Sequence, residues 1–179
     1  MSGESDGVLF REVQRFRQIW LWALLLSMCA AATAAFCYDC WRQLGGRRPE
    51  EHLRSPSLLF IGLAVVTVTA AANLLLLVAR LETEVRPGEV FVRFFPFHLK
   101  RLRLAVGEIA SVEARDYRPI AEFGGWGIRY GWRGGKAYNV RGNRGVQLVF
   151  VDGKKLLIGS QRADEMARAI EAAREAKPA

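Results

Sequence analysis

The chain has 179 residues, 51% of them apolar and 25% charged, with 26 Lys and Arg against 18 Asp and Glu for a formal charge of +8. These averages exclude a disordered chain, but they conceal two stretches without any charge, residues 19–38 and 55–79. A simple soluble globular protein is thereby excluded, and about 100 residues from Arg80 on remain for a folded domain.

The first apolar run, Ile19 to Tyr38, has 20 residues. As a helix it reaches about 30 Å, the thickness of a bilayer's hydrocarbon core. Trp20, Trp22, Tyr38 and Trp41 lie near its ends, where amphipathic rings favour the headgroup level. The second run, Leu58 to Ala79, is bounded by Pro56 and Arg80. Thr67 and Thr69 can bond back into their own helix, which leaves Asn73 as the one side chain needing a partner. Two spanning helices are expected. A cleaved signal peptide is the alternative for the first run, with Arg11, Arg15 and Arg17 as its basic region and Ala32-Thr33-Ala34 as its cleavage site. The long amino-terminal region and the continuation through Phe36-Cys37-Tyr38 argue against it.

Orientation follows the flanking cations. Residues 1–18 hold three, residues 39–57 hold four and residues 80–101 hold five. With two spans both ends share one side, and eight cations against four place the termini in the cytoplasm of a multi-pass cell-membrane protein. Cys37-Tyr-Asp-Cys40 has the spacing of a thiol pair or half a zinc site. Only His52 and nearby carboxylates could complete a set of four ligands, so packing at a helix end is the simpler reading and no metal site is expected.

From Arg80 the apolar period falls to two. Leu81–Val85 and Val90–Phe94 alternate around the turn Arg86-Pro87-Gly88-Glu89. Lys100–Leu104 and Ile109–Arg115 are further strands, followed by shorter pieces at Ile128–Tyr130 and Ala137–Val140. Val146–Val151 and Lys154–Ile158 flank Asp152-Gly153, which suits a tight two-residue turn. The period then changes again. Ala163, Met166, Ala167, Ile170 and Ala173 form one helical stripe between about Gln161 and Ala176, with Ser160 as its cap.

The expected fold is therefore a membrane α-helical hairpin followed by an α+β domain, a small β-barrel or sandwich of about seven strands closed by a carboxyl-terminal helix. Its divisions are a tail over 1–18, transmembrane helices over 19–38 and 58–79 joined by a loop at 39–57, and a domain over 80–179 that closes a core of its own.

Tyr117-Arg-Pro-Ile120, Gly124-Gly-Trp-Gly-Ile-Arg129, Gly134-Gly-Lys-Ala-Tyr-Asn139, Gly142-Asn-Arg-Gly-Val-Gln147 and Asp152-Gly-Lys-Lys-Leu-Leu-Ile-Gly-Ser-Gln161 resemble a family of prokaryotic membrane proteins. Its members carry a pleckstrin-homology-like (PH-like) domain after their membrane helices. The resemblance covers residues 80–175 and implies that fold and a membrane setting, with no established activity. Residues 81–104 lack the basic pattern by which some relatives of the fold hold phosphoinositides, so no lipid specificity is implied.

Enzyme signatures fail. Lys136 follows Gly134-Gly135, but Tyr130 and Ala137 break the phosphate-loop pattern. His98 is the only histidine after Arg80 and no cysteine follows it, which removes Cys-His nucleophiles. No catalytic residue and no cofactor are expected.

Two basic constellations remain. In Phe94-Phe-Pro-Phe-His-Leu-Lys-Arg-Leu-Arg103, cations Lys100, Arg101 and Arg103 beside aromatic rings suit a membrane surface, although strand alternation accounts for half of these residues. Residues 124–145 hold eight glycines, four aromatics, five cations and no acid. Here Trp126, Arg129, Tyr130, Trp132, Arg133, Lys136, Tyr138 and Asn139 are candidates for holding a protein partner or a second copy. The competing reading makes them bulged hairpins covering the core. Nucleic acid is not expected for a membrane-tethered chain. The function expected is a non-catalytic binding or scaffolding module in the lipid bilayer; the alternative is an accessory subunit of a membrane enzyme or transporter.

Overall fold

A computed structural model describes residues 7–16, 19–45, 56–131 and 135–176. It divides into a helical unit, Arg17–Leu77, and a second unit made of Met1–Phe16 with Val78–Ala179.

The helical unit consists of α1 (Ile19–Gly45) and α2 (Pro56–Val78). Within α1, Trp22–Arg42 is long and apolar enough to cross a membrane, and none of it is buried. Among the described residues α2 adds a shorter apolar stretch, Gly62–Val78. α1 runs seven residues past the expected end at Tyr38, carrying Cys40, Trp41 and Arg42 as a further helical surface. Cys37 and Cys40 are thus one turn apart on a helix, and both thiols are free. Hydroxyls return to their own helix, Thr33 to Cys29 O and Thr67 to Leu63 O, each at 2.8 Å. Asn73 does the same through Nδ2, which donates to Thr69 O at 2.8 Å, while its Oδ1 has no partner. The helices meet closely at Gly62, where a Cβ would stand 2.6 Å from Phe36 Cδ2. Small residues permit this kind of approach between apolar helices.

The second unit is α+β, with two sheets and a carboxyl-terminal helix. The first sheet has the order β1-β2-β3-β4, all antiparallel, from β1 (Phe10–Arg15), β2 (Arg80–Arg86), β3 (Glu89–Phe95) and β4 (Leu102–Ala105). The second has the order β5-β8-β9-β7-β6, from β5 (Ile109–Asp116), β6 (Gly127–Tyr130), β7 (Lys136–Asn139), β8 (Arg144–Phe150) and β9 (Lys155–Gly159). A short helix, α3 (Pro119–Phe123), intervenes after β5, and α4 (Ala163–Glu175) closes the chain. Nine strands are described, eight of them after Ala79, against the seven or so expected.

The expected amino-terminal tail contains β1. Its residues pair with β2 from Phe10↔Val85 to Arg15↔Arg80. Phe10 enters the core, Gln14 donates to Gly159 O at 2.8 Å, and Glu12 accepts from the Ser160 hydroxyl and from Gln161 N. The domain is therefore not closed by residues 80–179 alone, and the helical unit is an insertion between two adjacent strands.

Leu81, Val85, Val90, Val92 and Phe94 from the first sheet meet Ile109, Tyr138, Val146, Leu148 and Ile158 from the second, and α4 adds Met166 and Ile170. The helical stripe is as expected, with Ala163, Met166, Ile170 and Ala173 buried and Ala167 half-buried. Ser160 does not cap α4 in the expected way: Arg162 is the N-cap residue, and Ser160 receives its N–H at 3.0 Å while donating to Glu12. Pro87-Gly88 forms the expected two-residue turn, with Gly88 at φ +79°. The Asp152-Gly153 turn is longer than expected. Gly153 N donates to Phe150 O and Phe150 N to Lys154 O, so three residues separate the paired ends and Gly153 takes the left-handed position, φ +80°.

Candidate functional site

The loop between β3 and β4 lies at the end of the first sheet where β1 ends and β2 begins. Register sets this, since Arg15 pairs with Arg80 and Arg80 with Phe95. Strand alternation buries Phe94 and turns Phe95 outward, beneath the guanidinium groups of Arg80 and Arg93 at 5.1 and 5.3 Å from its ring. Beyond the strand, His98 N donates to Phe94 O at 2.8 Å, and the His98 ring meets Tyr138 edge-on at 5.4 Å. Burial, aided by the nearby Lys136 ammonium, holds the imidazole below the ordinary histidine range. The residues on either side of this inward histidine face out: Phe97 is 57% exposed and Leu99 75%.

The three cations expected at a membrane surface separate here. Lys100 is exposed and has no acidic partner among the described residues. Arg101 reaches back to Glu84, 3.1 Å away, and Arg103 donates to Glu89. Burial opposes the Glu84 carboxylate, but hydrogen bonding to Arg86 and the charges of Arg86, Arg101 and Arg11 outweigh it and hold its pKa below the ordinary value. Arg103 faces Phe91, four residues from Phe95, so it stands about 13 Å up the strand from the loop.

The second constellation also divides. Tyr138 and Asn139 are buried, Tyr138 in the main core and Asn139 accepting from Gly127 N at 2.8 Å; neither belongs to a free surface. Trp126 donates to Gly142 O at 3.1 Å, tying two loops together, and Arg129 returns to Trp126 O. Tyr130 stays 75% exposed at the end of β6, with Lys136 Nζ 5.8 Å from its ring and 4.8 Å from that of Tyr138. Trp132 and Arg133 lie outside the described residues.

Beside this segment, a cavity of about 620 Å³ opens on the outer face of the second sheet. Its wall includes Arg115, Arg118, Lys136 and Lys155 against Glu113 and Glu122. Arg115 spends its charge on Glu122, 2.9 Å away, and also reaches Gln147. Positive charge thus remains in excess, which suits an acidic group on a partner. Of its lining, the sequence pointed only to Lys136. Glu113, Arg115, Gln147 and Val149 are brought together by the pairing of β5 with β8, Arg118 and Glu122 come from α3 and its N-cap, and Lys155 comes from β9, which pairs in parallel with β7; no local pattern announces these pairings. Among the described residues no group of three or more His, Cys, Asp or Glu could hold a metal ion.

No protein-family model matches the chain, and no curated protein is detectably similar to it in sequence.

Proposed function

We propose that the chain is a membrane-anchored binding module: α1 and α2 cross the bilayer as a hairpin, and a PH-like domain stands on the cytoplasmic side and acts by recognition, not catalysis. The observation that carries this is the position of the helices between two strands paired to each other. The chain leaves the sheet after Arg15 and returns at Arg80, its register partner. A segment that starts and ends side by side in one sheet crosses a membrane an even number of times. If α1 spans, the chain must cross back, and among the described residues α2 is the one other apolar helix between those strands. Exposed Leu26, Trp41, Phe60, Val68 and Leu77 along both helices call for an apolar surrounding, and the close approach of Gly62 to Phe36 favours a packed pair.

The PH-like reading is supported by the order of elements: a four-stranded meander, a second sheet and a carboxyl-terminal helix packed on the core. For the partner, protein or second copy, the best-placed surface is the cationic cavity with exposed Tyr130 and half-buried Lys136 at its edge. A photo-reactive residue at Tyr130 in the full chain, activated in native membranes, tests this. A discrete cross-linked product that disappears when Arg118 and Lys155 are changed to Glu is expected. A product indifferent to those changes, or its absence, contradicts the proposed face.

A further inference from the structure

We propose that the tip of the β3–β4 loop is a membrane-insertion point, with Phe97 and Leu99 entering the interface of an anionic bilayer and Lys100 meeting its headgroups. This deepens the anchored reading above and rests on it. Three observations converge. The tip is apolar where a soluble loop has no use for apolar side chains: Phe97 and Leu99 are 57% and 75% exposed on a turn, against the buried Phe94 of the adjoining strand. It is also held, since His98 between them is bonded through its backbone to Phe94 O and packs its ring on Tyr138, and one side of the Phe97 ring leans on Phe94 at 5.8 Å. Finally, the chain enters the sheet from α2 at this end. Ala79 alone separates α2 from Arg80, and Phe95 is Arg80's neighbour on the next strand, about 5 Å away. With α2 ending at the membrane surface, as proposed above, a link of one residue leaves this end of the sheet within covalent reach of that surface.

The charge pattern agrees. Arg15, Arg80, Arg93 and Lys100 gather at this end, while Glu82 is the acid paired among them. Near an anionic surface each cation is attracted, and aromatic and aliphatic side chains enter the headgroup region. Arg103, paired with Glu89 further up the sheet, takes no part.

The experiment uses the full chain with Cys29, Cys37 and Cys40 replaced by Ser, reconstituted in vesicles of phosphatidylcholine and phosphatidylglycerol at about 3:1. Single spin labels are placed at positions 97 and 99, at Thr33 within α1, and at Val151, which is 74% exposed on the β8–β9 turn. Collisions with oxygen, enriched in lipid, are compared with those of a water-soluble nickel chelate. Labels at 97 and 99 should favour oxygen several-fold over the label at 151, though less than the one at 33, and Lys100→Glu should reduce that preference at 99. If 97 and 99 match 151 while 33 reads as bilayer, the tip is aqueous and the proposal falls alone. If they are shielded from both reagents, a protein covers the tip and the proposal is equally overturned. If 33 itself reads as aqueous, the anchored reading fails and takes the proposal with it.

Discussion

Removing β1 should destabilise the domain far more than loss of an exposed tail would. Phe10 is 6% exposed, so its burial contributes about 2–3 kcal/mol. The buried bond from Gln14 to Gly159 O adds about 1 kcal/mol, and the Glu12 carboxylate, which receives Ser160 and Gln161, adds roughly 1.5–3 kcal/mol. The ladder to β2, at about 1 kcal/mol a bond, offsets most of the cost of ordering the strand at about 1–2 kcal/mol per residue, so a net loss of a few kcal/mol remains, a large share of the 5–15 kcal/mol typical of a domain. The comparison is between residues 79–176 alone and residues 7–16 joined to 79–176 through an Asn-Gly turn, a link that the Arg15↔Arg80 pairing permits. Urea and thermal unfolding followed by circular dichroism should show the joined chain melting on the order of 15 °C or more above the other. Equal stability within about 1 kcal/mol would refute the role given to β1.

Further expectations follow from single side chains. Gly145→Ala would set its Cβ 2.6 Å from Ile158 O, so about 1–3 kcal/mol should be lost in denaturant titrations; an unchanged midpoint would show that the β8–β9 pairing can yield there. Gly62→Leu should separate α1 from α2, lowering cross-linking yield between cysteines placed one on each helix, whereas an unaltered yield would place Gly62 off the contact. His98 is held below its ordinary pKa by burial, so in the folded domain its neutral form is preferred. That contribution is complete above pH 6.5, the unfolded value, and is lost as pH falls through the folded one. His98→Phe should flatten the stability profile in that acid window, and an identical slope in both proteins would remove the assignment.

Much of this architecture was legible because its signals are local. The α4 stripe needs only a 3.6-residue period, and Pro87-Gly88 only the positive φ that glycine supplies at +79°. What stayed hidden depends on distant partners. β1 turns Glu12 and Gln14 inward beside Phe10, a pattern that reads as a charged tail until residues near 160 satisfy both. Tyr138, in a segment rich in glycines and cations, suits either a partner surface or the cover of the core, and the pairing of β7 with β9 sets it in the core. The grouping of Lys100, Arg101 and Arg103 failed similarly, since Glu84 and Glu89 arrive from neighbouring strands. Asp152-Gly153 marks a turn but not its length, because one αL glycine serves a three-residue loop as well as a two-residue one.

An insertion that leaves the first sheet after β1 and re-enters it at β2, having crossed a membrane twice, has a direct test in sidedness. Single cysteines at positions 7, 50 and 100, in full chains lacking Cys29, Cys37 and Cys40, are exposed to an impermeant thiol reagent in intact cells and again after permeabilisation. Position 50 should react in intact cells, while positions 7 and 100 should react only after permeabilisation. Positions 7 and 100 on opposite sides of the membrane would contradict it, because the β1–β2 pairing could not then form.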